Sequence, residues 1–360
     1  MSAPHAVVGM SGGVDSSVAA CLLKEQGYRV SGLFMVNWTE DEEGYCSSAE
    51  DFQDARAVCA ELEIPLHRVD FSREYRERVF AQFLADYAAG KTPNPDVLCN
   101  REIKFKPFRE HALRLGADFV ATGHYARIRH VADGPHLLRA VDDNKDQTYF
   151  LSAVSKPQLD RVLFPIGGLT KPEVRAIAQK TGLPNHRKKD STGICFIGER
   201  PFQEFLAQYL APNPGAIVDD NGNAVGEHQG LMYYTLGQRR GLHIGGRKGA
   251  GEAPWYVVAK IIDQNILMVS QQPDHPRLMS TVMECGPFQW INRPQAVANH
   301  PLQARIRHRQ ALQPCTLVGQ TSDIVQVHFE QAQRAAVAGQ YLVLYDGEEC
   351  LGGGEIISAG

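Results

Sequence analysis

The sequence predicts an α/β protein with a parallel sheet in its first domain, a small mixed central domain and a C-terminal domain resembling a β-barrel. The chain has 360 residues, which at roughly 100–200 residues per domain suits two or three domains. Short apolar runs alternate with helical patterns up to about residue 140, and short alternating segments follow Pro214. We therefore predict a first domain at 1–140, a mainly helical segment at 141–210, a β-rich central domain at 211–280 and a barrel at 281–360.

The first domain is predicted to consist of βαβ units. Short apolar strands separated by helices of about ten or more residues are typical of a parallel sheet. In chain order the predicted elements are the strand 6–10, the helix 16–26, the strand 29–36, the helix 49–62, the strand 66–71, the helix 73–89, the helix 102–115 and the strand 118–122.

After the first domain the pattern changes from helical to β-rich. A helix is predicted at 171–180, because Pro172 stands in its first turn and Gly182 and Pro184 follow its end. Beyond Pro214, alternating segments punctuated by Gly, Asn, Asp and Pro predict short strands of a small barrel or sandwich. These strands are 255–262, 266–270, 303–308 and 324–329.

Composition excludes several classes of protein. Hydrophobic residues make up 43% and charged residues 22%, which is ordinary for a folded domain. The sequence has no run of eighteen apolar residues and no signal-like start, so we expect a cytoplasmic protein without a membrane segment. Eight widely spaced cysteines indicate thiols rather than a disulfide scaffold, and the absence of a Cys-x2–4-Cys pair predicts no metal site. The net charge of −4 requires any nucleic acid to bind at local basic patches.

The strongest local signal is a glycine-rich turn between the first strand and the first helix. It reads G-M-S-G-G-V-D-S from Gly9 to Ser16. Glycines let backbone N–H groups approach an oxyanion, the helix N-terminus adds partial positive charge, and Ser11 and Ser16 add hydroxyl donors. The turn is neither a Walker A loop nor G-x-G-x-x-G. It predicts a phosphate site, against the alternative of a plain turn capped by Asp15 and Ser16.

Two further segments place cysteines in polar surroundings. In T-P-N-P-D-V-L-C-N, a Pro-rigidified loop before a predicted helix, Asp96 precedes Cys99 by three residues and is a candidate general base. A helix N-terminus lowers a thiol pKa whereas a carboxylate raises it, so the direction stays open. In K-K-D-S-T-G-I-C-F-I-G, Lys188 and Lys189 precede Cys195. These lysines either stabilise a thiolate or persulfide, hold RNA phosphate, or lie in a solvated loop beside a core cysteine.

Three arginines near the C-terminus form a basic stripe. Arg305, Arg307 and Arg309 alternate, so in a β-strand they share one face. That face is a candidate for phosphate contacts, and the alternative is an ordinary solvated strand face.

Together these motifs resemble those of one enzyme family. S-G-G-V-D-S resembles the pyrophosphate (PP) loop of the N-type ATP pyrophosphatases, which adenylate a carbonyl oxygen and release pyrophosphate. With T-G-H-Y-A at 122–126, K-D-Q-T-Y-F at 145–150 and L-G-G-G at 351–354, the chain resembles the tRNA-specific 2-thiouridylases over essentially its whole length. The resemblance implies a PP-loop nucleotide-binding domain and replacement of O2 of the wobble uridine by sulfur in lysine, glutamate and glutamine tRNAs.

The resemblance also implies roles for single residues. Cys195 corresponds to the cysteine that receives sulfur as a persulfide from a donor protein, Cys99 corresponds to the nucleophile, and the two close a transient disulfide. ATP, accompanied by Mg²⁺, is expected at Gly9, Met10, Ser11, Gly12, Gly13, Val14, Asp15, Ser16, Met35 and Gly123. The target base is expected at Asn94, Pro95 and Asp96, and other tRNA contacts at His124, Lys145, Asp146, Gln147, Arg307, His308 and Gln340.

Three alternatives accompany this interpretation. An ATP-dependent amidating or ligating enzyme of the same fold has no use for Cys99 and Cys195. A non-catalytic RNA-binding module does not release pyrophosphate. An iron–sulfur enzyme usually needs three or four thiolates, for which Cys46 is the third candidate.

Overall fold

The computed structural model describes residues 3–38, 48–190, 201–244, 253–293, 301–321 and 323–360. The predicted site residue Cys195 and the candidate Cys46 lie outside these ranges. The elements of the N-terminal part are β1 (His5–Met10), α1 (Val14–Glu25), β2 (Arg29–Val36), α2 (Ser48–Glu61), β3 (Leu66–Asp70), α3 (Ser72–Tyr75), α4 (Ala81–Ala88), α5 (Pro95–Cys99), α6 (Arg109–Arg114), β4 (Phe119–Thr122), β5 (Ala126–Val131), β6 (Gly134–Arg139), α7 (Thr148–Leu151), α8 (Lys156–Leu159), β7 (Val162–Leu163) and α9 (Lys171–Lys180).

Five strands of this part form a parallel sheet in the order β3-β2-β1-β4-β7. Its central strand is buried on both faces, because Ala6 and Val8 pack into one apolar cluster and Val7 into another. Helices therefore cover both sides of the sheet, and the predicted parallel α/β fold is confirmed. The sheet takes its last strand, β7, from beyond residue 140.

Two long helices contain π-helical turns. Residues Arg76–Phe80 connect α3 to α4, and Asn100–Phe108 connects α5 to α6. The second helix starts at Pro95, so the predicted start at 102 is wrong. Asn94 caps it, with its Oδ1 accepting a hydrogen bond from the Val97 N–H at 3.4 Å, and proline suits the first helical position. Asp96 and Cys99 are therefore helical residues rather than members of a preceding loop.

The central part is small and built around its own apolar core. It contains α10 (Phe202–Ala207), β8 (Gly215–Val218), β9 (Ala224–His228), β10 (Tyr256–Ile261) and β11 (Ile266–Ser270). The four strands form a sheet in the order β10-β11-β8-β9, in which only β11 and β8 run parallel. Ile217, Val257 and Leu267 are fully buried against it. The predicted small mixed domain is confirmed.

The C-terminal part is a closed six-stranded antiparallel barrel. Its strands are β12 (Met279–Trp290), β13 (Leu302–Arg305), β14 (Gln313–Gln320), β15 (Val325–Arg334), β16 (Tyr341–Asp346) and β17 (Glu349–Ala359). Pairing of β12 with β17 closes it. The β5–β6 hairpin of the N-terminal part attaches at its edge, where Glu349 pairs with Leu138. The predicted barrel is confirmed, and it is joined directly to the first domain. No helix within the described ranges is long and apolar enough to cross a membrane.

Candidate active site

The glycine-rich turn joins β1 to α1 at the carboxyl edge of the parallel sheet. Gly12 has φ of +77°, and a Cβ there would lie 2.3 Å from the backbone oxygen of Asp51, so only glycine fits. The Ser16 hydroxyl donates to the Gly13 carbonyl at 3.0 Å and accepts from the Ser11 N–H at 3.2 Å. The turn is thus held in a fixed shape at the N-terminus of α1, the end of a helix that favours anions.

A second glycine brings the neighbouring strand against this turn. Gly123 follows β4, which pairs with β1, and a Cβ on it would lie 2.6 Å from the Ser16 backbone nitrogen. Met35 lies near the end of β2, the strand on the other side of β1, and is half-buried. The residues predicted to hold ATP therefore surround the carboxyl ends of three adjacent strands, where ligands bind in open α/β sheets.

A network of charges connects this turn to residues far along the chain. Asp15 Oδ1 accepts hydrogen bonds from the Tyr125 hydroxyl at 3.0 Å and from Lys171 Nζ at 2.7 Å. Lys171 also contacts Asp190 at 2.7 Å, and Lys145 contacts the same carboxylate at 2.6 Å. Burial raises the pKa of Asp190, but its hydrogen bonds and ion pairs with the two lysines outweigh this and hold the pKa at about 2. Nothing in the sequence around Lys171 predicted its place beside Asp15.

Asn185 is a second site residue that the sequence reasoning missed. It is buried, and its Nδ2 donates to the Gly12 carbonyl and to the Ser17 hydroxyl, both at 2.9 Å. Its Oδ1 is buried without a hydrogen-bond partner in the described part of the chain. The Asn185 side chain therefore stabilises the glycine-rich turn through two hydrogen bonds, and its Oδ1 remains as an acceptor beside the turn.

The start of the second long helix carries the predicted base-binding residues. Pro95 is buried, and Asn94 and Asp96 are half-buried. Cys99 is 2% exposed in an apolar cluster, so the polar surroundings predicted for it are wrong, because its helix turns this side chain into the core. Burial raises the pKa of Asp96, and the positive charge of Lys104, two turns further along, opposes this rise. Asp96 therefore takes up a proton at higher pH than an exposed aspartate, as suits a general base.

His124 joins this region to the end of β4. Its ring lies between the rings of Phe105 and Phe164, with centroid distances of 6.0 and 5.9 Å, and its Nδ1 lies 2.7 Å from the Thr122 hydroxyl. Burial and the charge of Lys104 lower its pKa well below the usual value, so the ring is neutral. Since the side chain is enclosed, the structure does not expose it for the predicted contact with tRNA.

The segment 145–150 packs between the helix start and the barrel. The Asn100 side chain donates to the Phe150 carbonyl at 3.0 Å, and Gln147 Oε1 accepts from the Tyr125 N–H at 2.9 Å. On the barrel side, the rings of Phe150 and His308 are 4.4 Å apart, and Gln340 Nε2 donates to the Thr92 carbonyl at 2.8 Å. The predicted base-binding and tRNA-binding segments therefore contact one another, although they are far apart in sequence.

Two predictions about charged residues are corrected. Arg305, Arg307 and Arg309 do not share a strand face, because β13 ends at Arg305. Arg305 is 3% exposed and forms a buried ion pair with Asp146, while Arg307 and Arg309 are exposed. Asp146 is 1% exposed, so its carboxylate is not available for the predicted tRNA contact. A buried charge needs a partner, and each of these two residues is the partner of the other.

Comparison with known proteins identifies the family. Three family models match successive parts of the chain: the tRNA methyl transferase HUP domain at 4–199, the tRNA methyl transferase PRC-barrel domain at 203–271 and the aminomethyltransferase beta-barrel domain at 280–356. The tRNA-specific 2-thiouridylase MnmA of Alcanivorax borkumensis is 55% identical over 351 residues, covering 97% of this chain and 96% of that protein. The chain belongs to the tRNA-specific 2-thiouridylase family.

Another member of the 2-thiouridylase family, the MnmA of Nitrosomonas eutropha, is 54% identical over 357 residues, 99% of each chain. Among solved structures, the U34-tRNA thiolase NcsA from Methanococcus maripaludis shares 20% identity with a TM-score of 0.35, covering 57% of this chain and 62% of that one. Within the described ranges of this 2-thiouridylase family member, no group of three or more His, Cys, Asp and Glu side chains is arranged to hold a metal ion.

Proposed function

We propose that this protein catalyses ATP-dependent 2-thiolation of the wobble uridine in lysine, glutamate and glutamine tRNAs in the cytoplasm. One observation carries the proposal: the segment 145–150 is hydrogen-bonded both to the glycine-rich turn, through Tyr125 between Asp15 and Gln147, and to the helix of Asp96 and Cys99, through Asn100 and Phe150. Full-length identity of about 55% to proteins named tRNA-specific 2-thiouridylases supports the substrate class.

The first step activates the base. Uridine O2 is a poor leaving group as a carbonyl oxygen, but the same oxygen leaves readily as part of AMP. The turn from Gly9 to Ser16, with Met35 and Gly123, binds ATP so that the uridine oxygen attacks its α-phosphate and pyrophosphate departs. Mg²⁺ bound together with ATP would offset the negative charge of the phosphates. Gly12 packs against the Asp51 backbone and Gly123 against the Ser16 backbone, and these contacts fix the turn at the N-terminus of α1, where an anion is favoured.

The second step delivers sulfur. A donor protein leaves a persulfide on Cys195, and its terminal sulfur attacks C2 as AMP departs with the original oxygen. The Cys99 thiolate then attacks the Cys195 sulfur, which breaks the S–S bond, leaves sulfur on C2 and joins the two cysteines in a disulfide. Asp96 lies one helical turn before Cys99 and accepts the thiol proton. An external thiol reduces the disulfide and completes the cycle.

The RNA is held by residues on both sides of the helix start. A base in a single-stranded loop leaves its stack at low cost, which favours an anticodon-loop uridine as substrate. Asn94, Pro95 and Asp96 bind that base. The exposed Arg307 supplies positive charge for the flanking phosphates, and Lys145, which is paired with Asp190, donates to them as well. The surface between these residues is formed by Gln147, His308 and Gln340, each of which is hydrogen-bonded to a neighbouring segment. The buried residues beneath this surface are His124 and Asp146.

The experiment is incubation of the full chain with ATP, Mg²⁺, a ³⁵S-labelled sulfane donor and tRNA, followed by nucleoside analysis. We expect labelled 2-thiouridine, AMP and pyrophosphate in equal amounts. Cys99→Ser and Cys195→Ser are expected to lose the thionucleoside and to keep ATP binding. Cys59→Ser is the matched control, since Cys59 and Cys99 are both 2% exposed. Full thiolation by both variants would contradict the sulfur-transfer scheme, and pyrophosphate release without thionucleoside in the wild type would favour a ligase.

A further inference from the structure

A cavity of about 410 Å³ lies where the three parts of the molecule meet. Gly90 and Lys91 line it from the end of the first long helix, Lys260 from β10 of the central sheet, and Ala338 from the turn between β15 and β16 of the barrel. Arg277, in the turn that leads into β12, completes the wall. Basic side chains from three separate segments thus border one space.

Two of these three cations have no counter-charge among the residues that the structure describes. Lys91 is compensated, because its Nζ lies 2.6 Å from Glu355 and 3.5 Å from Asp86. Lys260 Nζ donates only to a neutral group, the Gly90 carbonyl, at 3.0 Å. Arg277 has no carboxylate within 4.0 Å of its guanidinium in the described part of the chain. Three cations against the two carboxylates beside Lys91 leave an excess of about one positive charge at the cavity.

The surroundings of Lys260 make this excess unfavourable in the empty protein. Its side chain is half-buried beside Val258 and Leu236, and burial lowers the pKa of Lys260 to about 8. A desolvated ammonium without an anionic partner is costly, and an anion entering the cavity removes that cost. The cavity is accordingly arranged for an anionic ligand.

The position of the cavity indicates which anion. Lys91 and Thr92 directly precede the predicted base-binding residues, and the Thr92 N–H donates to the Ala338 carbonyl at 2.9 Å. Gly90 and Asp96 are six residues apart, so the chain between them spans at most about 20 Å. When a base of a polynucleotide binds at Asp96, phosphates a few nucleotides away along the strand therefore lie close enough to contact Lys260 and Arg277.

We propose that Lys260 and Arg277 bind a backbone phosphate of the tRNA strand a few nucleotides from the target uridine. This inference rests on the proposed function, because it takes the polyanion in the cavity to be the tRNA substrate. The contact is to phosphate and carries no base preference, so it fixes the position of the anticodon arm relative to Asp96 and leaves sequence discrimination to other residues.

The test is tRNA binding as a function of salt for the full chain and for Lys260→Met, Arg277→Gln and the double variant. Loss of one phosphate contact lowers the slope of log K against log[salt] by about 0.7, which corresponds to about fivefold weaker binding at 0.1 M salt. We expect that change for each single variant and about twice the change in slope for the double variant. Lys180→Met is the matched control, since Lys180 is exposed at the end of α9, away from the cavity.

The possible outcomes distinguish failure of the phosphate contact from failure of the proposed thiolation function. Wild-type protein that neither binds nor thiolates tRNA contradicts the proposed function itself. Wild-type protein that thiolates tRNA, with variants whose salt slope is unchanged, overturns the phosphate contact alone. If Lys260→Met has a lower melting temperature but an unchanged salt slope, then Lys260 stabilises the contact between the central and N-terminal parts through its hydrogen bond to Gly90, and the phosphate contact is overturned. Lys260-dependent binding of inorganic phosphate, measured calorimetrically, with an unchanged tRNA slope assigns the cavity to a free anion instead.

Discussion

Replacing Arg305 with Met tests whether this residue holds the fold together or contacts RNA. The side chains of Arg305 and Asp146 are 4% and 0% exposed, and they pair across 159 positions of the sequence. In the variant, Asp146 keeps the Thr148 hydroxyl at 2.8 Å and the Ala140 N–H at 3.0 Å but loses its only ion pair among the described residues.

Breaking a buried ion pair by removing one partner costs about 3–5 kcal/mol, since the remaining charge stays buried without compensation. We therefore expect Arg305→Met to lower the free energy of unfolding by about that amount. Replacing Asp146 by Asn in the same chain removes the uncompensated charge and is expected to restore part of the loss. Arg309→Met, in the same segment but exposed, is expected to change stability by less than about 0.5 kcal/mol.

Urea unfolding provides the measurement, followed by the fluorescence of Trp38, Trp255 and Trp290, one in each part of the molecule, and by circular dichroism of the helices. Coincident transitions are required before one free energy is assigned to both domains. If Arg305→Met unfolds at the same urea concentration as Arg309→Met while binding tRNA more weakly, then Arg305 is an RNA contact and our structural reasoning is refuted.

Two further predictions concern the site itself. Gly123→Ala places a methyl group about 2.6 Å from the Ser16 backbone nitrogen, so the glycine-rich turn must shift, at a cost of about 1–3 kcal/mol. We therefore expect ATP affinity, measured by equilibrium dialysis, to fall roughly tenfold or more. Unchanged affinity would show that Gly123 is not part of the nucleotide site. Lys104→Met removes the positive charge that opposes the rise in the pKa of Asp96 caused by burial, so that pKa rises further. In a pH profile of the thiolation rate, we expect the acidic limb to move to higher pH. A shift to lower pH would contradict the assignment of Asp96 as the general base.

The sequence predicted those parts of the fold that depend on local patterns. The apolar run at the first strand and the glycine-rich turn after it are local features, and the structure has the strand at His5–Met10 and Gly12 at positive φ. The start of α5 was missed although its signals are local, since Asn94 and Pro95 are a standard cap and first residue of a helix. The prolines on either side of Asn94 are equally typical of a rigid loop, and for that reason the sequence pattern predicts a loop there.

Other parts depend on contacts that no local pattern contains. Lys171 meets Asp15 across 156 positions, and Asp146 meets Arg305 across 159. An alternating basic stripe looks the same in sequence whether it faces solvent or a buried carboxylate, so Arg305 was assigned to the wrong environment. The polar segment around Asp146 gave no indication that it enters the core. Only the three-dimensional pairing distinguishes the two cases.

The same buried pair connects the barrel to the candidate active site. Arg305 ends β13 and holds Asp146, while its guanidinium also donates to the His308 carbonyl at 3.1 Å and His308 Nε2 lies 3.0 Å from the Asp146 carbonyl. Lys145, directly before Asp146, contacts Asp190, which meets Lys171 and through it Asp15 of the glycine-rich turn. A series of ion pairs, joined by the chain between Lys145 and Asp146, therefore runs from the barrel to the glycine-rich turn. Of these carboxylates, Asp146 pairs with the barrel, whereas Asp190 and Asp15 have their lysine partners within the N-terminal part. The barrel is therefore connected to the glycine-rich turn through Lys145 and Asp146, which are adjacent in the chain.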